Sequence, residues 1–166
     1  MSHSVTHLVL RDFRPGDADT VVSWLRGPDD AVALAGTGAP WPYPASVLTA
    51  AAAAPDRHPR TLTSRDDPAA VLGHVVVVRV TATTGRLARV VLAPGLRGRG
   101  LSRTFLALAA AEALALGIVE LALFVVPDND AALRAYAAAG FVPTEPDPGH
   151  PEYVRLVRRL DAPASA

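Results

Sequence analysis

The stretch VVLAPGLRGRGLSR, residues 90–103, decides how the rest of the chain is read. Val90, Val91 and Leu92 end an apolar, strand-like run that stops at Pro94. Gly95, Leu96, Arg97, Gly98, Arg99 and Gly100 follow as a glycine-rich basic loop, and a long apolar helix-like run opens at Leu101 or Ser102. Strand, glycine loop and helix start together favour an anion. The first helical turn leaves backbone N–H groups without intrahelical partners, and the helix dipole adds positive potential there. Glycines let an anion approach the backbone because no Cβ intervenes. Arg97, Arg99 and Arg103 supply charged donors. An isolated RGRG tract reads as a solvated turn; its place between strand and helix shifts the reading towards anion binding. Two phosphate motifs fail on single residues. Leu101 stands where a P-loop needs Lys, and Arg103 where the dinucleotide fingerprint needs its last glycine.

Outward from this loop, bulk properties narrow the classes. At 166 residues the chain is long enough for one domain with a proper core. Basic and acidic residues number 16 each, so no global field steers it to nucleic acid or a membrane. Every basic residue is Arg and none is Lys, a compositional bias shared by the abundant Ala and Pro. Without Cys there is no disulfide framework and no thiolate chemistry. The start MSHSVTHLVL lacks the basic-then-apolar pattern of a secretory leader, so the cytoplasm is the expected location. Residues 104–126 are apolar enough to suggest a membrane span, but Glu112, Gly117 and Glu120 break them into helix, stop and strand.

The remaining elements follow from period and punctuation. Strands are expected at residues 8–13, 60–64, 72–80 and 87–93, the third rich in β-branched Val. Short helices are expected from Asp17, as cap, to Arg26, from Asp29 or Asp30 to Ala35, and from Ser46 to Ala54. Three prolines and two aromatics in residues 36–44 forbid regular structure there. Asp128 or Asn129 caps a last helix that ends at Gly140, and residues 141–144 and 153–159 form the last strands. Antiparallel strands precede a strand–helix–strand unit whose right-handed crossover makes its two strands parallel. An α/β fold with a mixed sheet and helices on its faces results.

Residues 90–102 resemble the acetyl-CoA-binding motif of the GCN5-related N-acetyltransferases (GNAT), written [RQ]-x-x-G-x-[GA], with Arg97 and Gly100 matching and small Ser102 in the final place. Residues 121–141 resemble the family's next strand and helix through Asn129, Ala132, Tyr136, Gly140 and Phe141. The likeness spans about residues 8–160 and is to the bacterial small-molecule or peptide type. It implies a single GNAT domain over residues 1–160, with a frayed tail at 161–166, and a mostly antiparallel mixed sheet of six to seven strands. It implies acetyl-CoA as co-substrate, no metal, and an amine acceptor that is a small molecule or a peptide. Nucleic acid and membrane are not expected partners, and a monomer or a homodimer fits.

The resemblance also assigns residues. It places the coenzyme's diphosphate on Arg97, Gly98, Arg99, Gly100, Leu101, Ser102 and Arg103. It lays the pantetheine arm along Val90, Val91 and Leu92, between strands that splay apart, with Asn129 and Tyr136 facing the same groove. Tyr136 lies seven residues after Asn129, two helical turns on, and the family carries there a Tyr whose hydroxyl serves as acid for the departing thiolate. Trp41 and Tyr43 match a W-P-[FY] segment that leads into the helices covering the acceptor site; the plainer reading is an aromatic cap on the helical layer. The Glu that many members use as base is absent, since residues 81–90 hold no carboxylate. His74 is the nearest titratable alternative, and a solvent-facing strand histidine is the stronger reading of it. The loop TEPDPGHPE, residues 144–152, would favour cationic amines if it rims the acceptor site. Two other classes stay open: a catalytically weak acyl-CoA sensor, and an RNA-binding module built on the loop arginines.

Overall fold

The computed structural model describes residues 6–161. Seven strands and five helices alternate along it: β1 (Leu8–Asp12), α1 (Pro15–Ser23), α2 (Pro28–Ala35), α3 (Ala45–Ala52), β2 (Arg57–Ser64), β3 (Gly73–Arg79), β4 (Thr84–Leu92), α4 (Leu101–Ala115), β5 (Glu120–Val125), α5 (Asp130–Ala138), β6 (Val142–Pro143) and β7 (Val154–Arg159). One sheet holds all seven strands in the order β1-β2-β3-β4-β5-β7-β6. β1 to β4 run antiparallel to their neighbours, β4 and β5 are parallel across α4, and β5, β7 and β6 are again antiparallel. This is the expected mixed α/β sheet. The tail expected from residue 161 lies, after Asp161, outside the described residues.

The strand period divides the core between the two faces. Val75 and Val77 of β3 join Phe105, Leu106, Ala109 and Ala113 of α4 in the larger core. Those helix positions recur every three or four residues and so share one stripe. Ala18, Val21, Ala31, Leu34 and Leu48 of α1 to α3 build a smaller core on the other face, with Phe13 and Val91 packed against it. At Gly85 there is no room for a side chain: a Cβ there would meet the Val78 carbonyl oxygen of the neighbouring strand at 2.7 Å and Ile118 Cδ1 at 2.8 Å.

Three local expectations are corrected. Arg14, not Asp17, is the N-cap of α1; Asp17 sits in the first turn and accepts the Arg14 N–H at 2.9 Å. The helix stops at Ser23 because the next turn is drawn into α2, with the Arg26 N–H donating to Asp30 Oδ2 at 2.8 Å. β2 begins three residues before the expected Arg60 and runs through Pro59, whose carbonyl accepts the Phe13 N–H at 3.4 Å. A proline lacks only its donor, so the ladder there keeps its acceptor.

Candidate active site

The sheet opens in its middle. β4 and β5 pair only from Thr84–Glu120 to Arg86–Ala122. Beyond that, β4 stays with β3 as far as Leu92, and β5 stays with β7 as far as Val125. Their facing edges therefore diverge and carry backbone N–H and C=O groups with no ladder between them. The cause is one extra residue. Val76 faces Ala88 and His74 faces Val91, so two steps on β3 match three on β4. Arg89 absorbs the difference with φ +51°, in the left-handed region. A bulge of this kind bends its strand and raises the local twist, which carries Val90, Val91 and Leu92 away from β5.

The glycine loop lies at the open end of the gap. A single 3-10 turn, Pro94–Leu96, buries Leu96 against the core. Arg97 then folds back, and its Nε–H donates to the Leu92 carbonyl at 3.1 Å, tying loop to strand. Gly98 and Gly100 take φ +71° and +75°, which most side chains resist. Gly100 is the N-cap of α4, and no side chain caps the helix. The first-turn N–H groups at Leu101, Ser102 and Arg103 thus have no side-chain acceptor, and Arg97, Arg99 and Arg103 are exposed around them.

α5 follows β5 and packs against α4. Asn129 is its N-cap, with Oδ1 accepting the Ala132 N–H at 3.1 Å. The Tyr136 ring packs into the larger core, edge-on to Phe141 at 6.2 Å. Burial pushes its phenol up to about 12, so the hydroxyl keeps its proton at any physiological pH.

The acceptor-side expectations divide. Trp41 is 43% exposed, whereas Tyr43 is 5% exposed and sits in the smaller core with its hydroxyl unpartnered. His74 is corrected outright: it is 0% exposed. Its Nδ1–H donates to the Arg60 carbonyl at 3.1 Å, and its ring lies 4.8 Å from Phe13. Burial, opposed only partly by that bond, pushes it down to about 4. A neutral, enclosed imidazole one strand away from the gap is not placed to take a proton from an amine. Glu145 and Glu152 of the acidic loop are exposed, and Asp147 Oδ1 accepts the Gly149 N–H at 2.7 Å within the loop.

Sequence reading passed over the side chains that line the gap on the α1–α3 side. Arg86 lies over the Phe124 ring, 5.9 Å from its centre, and His150 and Tyr153 flank Phe124 at 5.3 and 6.2 Å. The Tyr153 hydroxyl accepts the Thr37 N–H at 2.7 Å, fastening the loop before α3 to the start of β7. Arg57 and Arg89 stand nearby. The one signal for them was GRLARVVL, residues 85–92, where two arginines interrupt a strand read as simply apolar.

A mixed sheet parted between parallel strands, with an uncapped helix start at the open end, marks an acyl-group transferase. The chain belongs to the acetyltransferase (GNAT) family, an enzyme family that draws on acetyl-CoA, and the family model matches residues 22–141. Spermidine N-acetyltransferase from Vibrio cholerae, solved with CoA and spermine, is 16% identical over 93% of this chain and 96% of that one, with a TM-score of 0.72. The GNAT domain of S. lividans PAT is 21% identical over 91% and 89%, with a TM-score of 0.73. An aminoglycoside acetyltransferase, AAC(6')-Ib with coenzyme A, is 15% identical over 92% and 94%, with a TM-score of 0.70. At these identities the likeness carries the fold. No match was found among curated protein sequences. Among the described residues, no helix is long and apolar enough to cross a membrane, and no three His, Cys, Asp or Glu residues are grouped to hold a metal.

Proposed function

We propose that the protein transfers the acetyl group of acetyl-CoA to a primary amine by direct attack. The observation that carries this is the gap between β4 and β5, with an uncapped helix start at its open end. The N–H groups of residues 101–103, with Arg97, Arg99 and Arg103, hold the coenzyme's diphosphate. The unpaired edge at Val90, Val91 and Leu92 offers the amide-bearing pantetheine arm the hydrogen bonds that a neighbouring strand would make. Asn129 uses Oδ1 to cap α5, which leaves its amide N–H groups for the arm. Trp41, exposed on the α1–α3 side, contributes to the acceptor wall, and Tyr43 positions that wall from within the core.

In the reaction, the amine nitrogen forms a bond to the thioester carbonyl carbon and the carbon–sulfur bond breaks. Tyr136 gives its hydroxyl proton to the departing thiolate. Its raised pKa keeps it protonated before the step but weakens it as an acid, so the hydroxyl recovers its proton from solvent as soon as the thiolate has taken it. No covalent intermediate on the enzyme is needed, which agrees with a chain without Cys. The proton of the amine leaves through solvent, since no carboxylate stands in residues 81–90.

Calorimetric titration with acetyl-CoA tests this reading, run beside an RNA titration at two salt concentrations. Gly100→Asn is the informative variant. Asn tolerates the left-handed backbone but adds a side chain where nothing in the protein lies within 4 Å. It should raise the acetyl-CoA dissociation constant about ten-fold or more, equivalent to losing one charge-assisted contact. Unchanged affinity in a folded variant, or salt-sensitive RNA binding in place of coenzyme binding, would remove the proposal.

A further inference from the structure

On the α1–α3 side of the sheet, three arginines stand together with no acid to answer them. Arg57 of β2 and Arg86 of β4 both face Val78 of β3, so all three side chains leave the same face. Arg89 lies at the bulge, close enough for its charge to act on both Arg57 and His74. All three arginines are half-buried. Arg57 Nη1 and Arg89 Nε are sealed from solvent with no hydrogen-bond partner. Three other arginines of β1 to β3 are answered: Arg11 by Asp17, Arg60 by Asp12 and Glu112, and Arg79 by the carbonyls of Ala82 and Leu116. Among the described residues no ion pair reaches Arg57, Arg86 or Arg89, and His74 between the strands is neutral.

Like charges repel, and a buried guanidinium N–H without an acceptor forfeits the water it left. Such a cluster becomes favourable when a ligand brings negative charge. Its position fits that use. Arg86 faces Ala122 on the last rung before the strands part, and Arg89 is the bulge residue that parts them. The cluster therefore borders the closed end of the gap. Arg86 and Leu92 are separated by about 20 Å of extended strand, so the diphosphate cradle beyond Leu92 is served by other arginines. Phe124 of β5, with His150 and Tyr153 of the loop before β7, walls the same space.

We propose that the acceptor amine carries an oxyanion, a carboxylate or a phosphate, which Arg57, Arg86 and Arg89 bind at the closed end of the gap while the amine faces the thioester. This rests on the transferase reading above and narrows its substrate. It also reverses the expectation of a cationic acceptor: of the acidic loop it is His150 that reaches Phe124, Glu145 and Glu152 are exposed, and the charge beside the gap repels a polycation.

The test compares matched acceptors by release of CoA thiol, read cleanly because the protein has no Cys. The panel holds α- and ω-amino acids with their carboxamides, phosphoethanolamine with ethanolamine, and spermidine. The anionic member of at least one pair should exceed its neutral partner in kcat/KM by about ten-fold or more, the worth of a charge-assisted contact. The pair that responds tells carboxylate from phosphate. Arg86→Gln and Arg57→Gln should each collapse that ratio through acceptor KM and leave acetyl-CoA KM within about two-fold, because separate groups bind the two substrates. Equal use of both members of every pair, or preference for spermidine, would overturn this proposal and leave the transferase intact. A rise in acetyl-CoA KM in the arginine variants would assign the cluster to the coenzyme instead. Failure of the protein to bind acetyl-CoA at all would remove both readings together.

Discussion

Two polar clusters lie on the same face of the sheet, a short step apart, and they are built in opposite ways. Across β1 to β4 one row reads Arg11, Thr61, His74 and Val91, and four residues further along β2 and β3 a second row reads Arg57, Val78 and Arg86. In the first row charge is answered in full. Asp17 accepts from Arg11 Nη1 at 2.7 Å, from Arg11 Nη2 at 3.0 Å, from the Arg14 N–H at 2.9 Å and from the Thr61 hydroxyl at 2.7 Å. In the second row the arginines have no acid. A closed network fixes where α1 docks on the sheet and leaves nothing for a ligand. An open one does nothing for the fold, so its arginines are explained by what binds them.

The largest effect should come from breaking the closed cluster. Asp17→Ala leaves the half-buried Arg11 without its acid, holding only the carbonyls of Pro68 and Asp12, and should cost about 3 kcal/mol in urea unfolding, the low end for removing one partner of a buried pair. A loss below about 1 kcal/mol would erase the distinction between the clusters. The pH dependence points the same way. Burial raises the Asp17 carboxyl, but Arg11, the Arg14 N–H and Thr61 outweigh it and hold it below the ordinary carboxylate range. Its contribution is present above that range and is lost as acid protonates the folded carboxyl.

His74 lies between the clusters, lowered by the charge of Arg89 and raised by that of Asp17, with burial dominant. Its folded pKa of about 4 is below the 6.5 of a free histidine, so the unfolded chain binds the extra proton. Stability should therefore fall as pH drops from 6.5 towards 4, by at most about 3 kcal/mol. Thermal melts between pH 7 and pH 4.5 measure it. His74→Asn, which keeps a donor for the Arg60 carbonyl, should flatten that limb; an unaltered limb would assign it to carboxylates alone.

Tyr136 sharpens the comparison from the opposite face of the sheet, where a buried polar group is proposed to act on the reaction itself. Tyr136→Phe keeps the ring against Phe141 and deletes the proton donor. It should lower kcat about ten-fold, below the usual span for general acid catalysis because a thiolate leaves readily, with acetyl-CoA binding nearly intact. A wild-type kcat, measured where chemistry limits the rate, would make solvent the donor. The smallest effect belongs to the open cluster. Arg57→Gln with Arg86→Gln should change unfolding free energy by no more than about 0.5 kcal/mol, or stabilise, because no native pair is broken. A clear loss of stability would show that the arginines support the fold.

What could be read from the chain and what could not follow one physical line. The glycine loop, the start of α4 and the Asn129 cap are decided within a few residues by φ, caps and period, and each was legible. The strand–helix–strand core was legible because connection handedness is general. The bulge at Arg89 was not, since a register shift belongs to two strands together. Insertion of β7 between β5 and β6 depends on pairing across a long loop. His74 looked exposed because its strand neighbours gave no sign that Phe13 and α1 close over it. Trp41 and Tyr43, two residues apart, were read together, as a cap on the helical layer or as a wall of the acceptor site; packing sends one outward and the other into the core. The arginines of the gap come from separate strands, and no linear motif joins Arg57 to Arg86.

Gly85 carries a consequence for the depth of the gap. It belongs to the three-residue stretch over which β4 and β5 are still joined, and its missing Cβ is the space occupied by the Val78 carbonyl and Ile118. A methyl there would act as a wedge, pressing on the β3 backbone at Val78 and on Ile118 just before β5. The closed end of the gap therefore rests on a joint that stays flush only while this one carbon is absent.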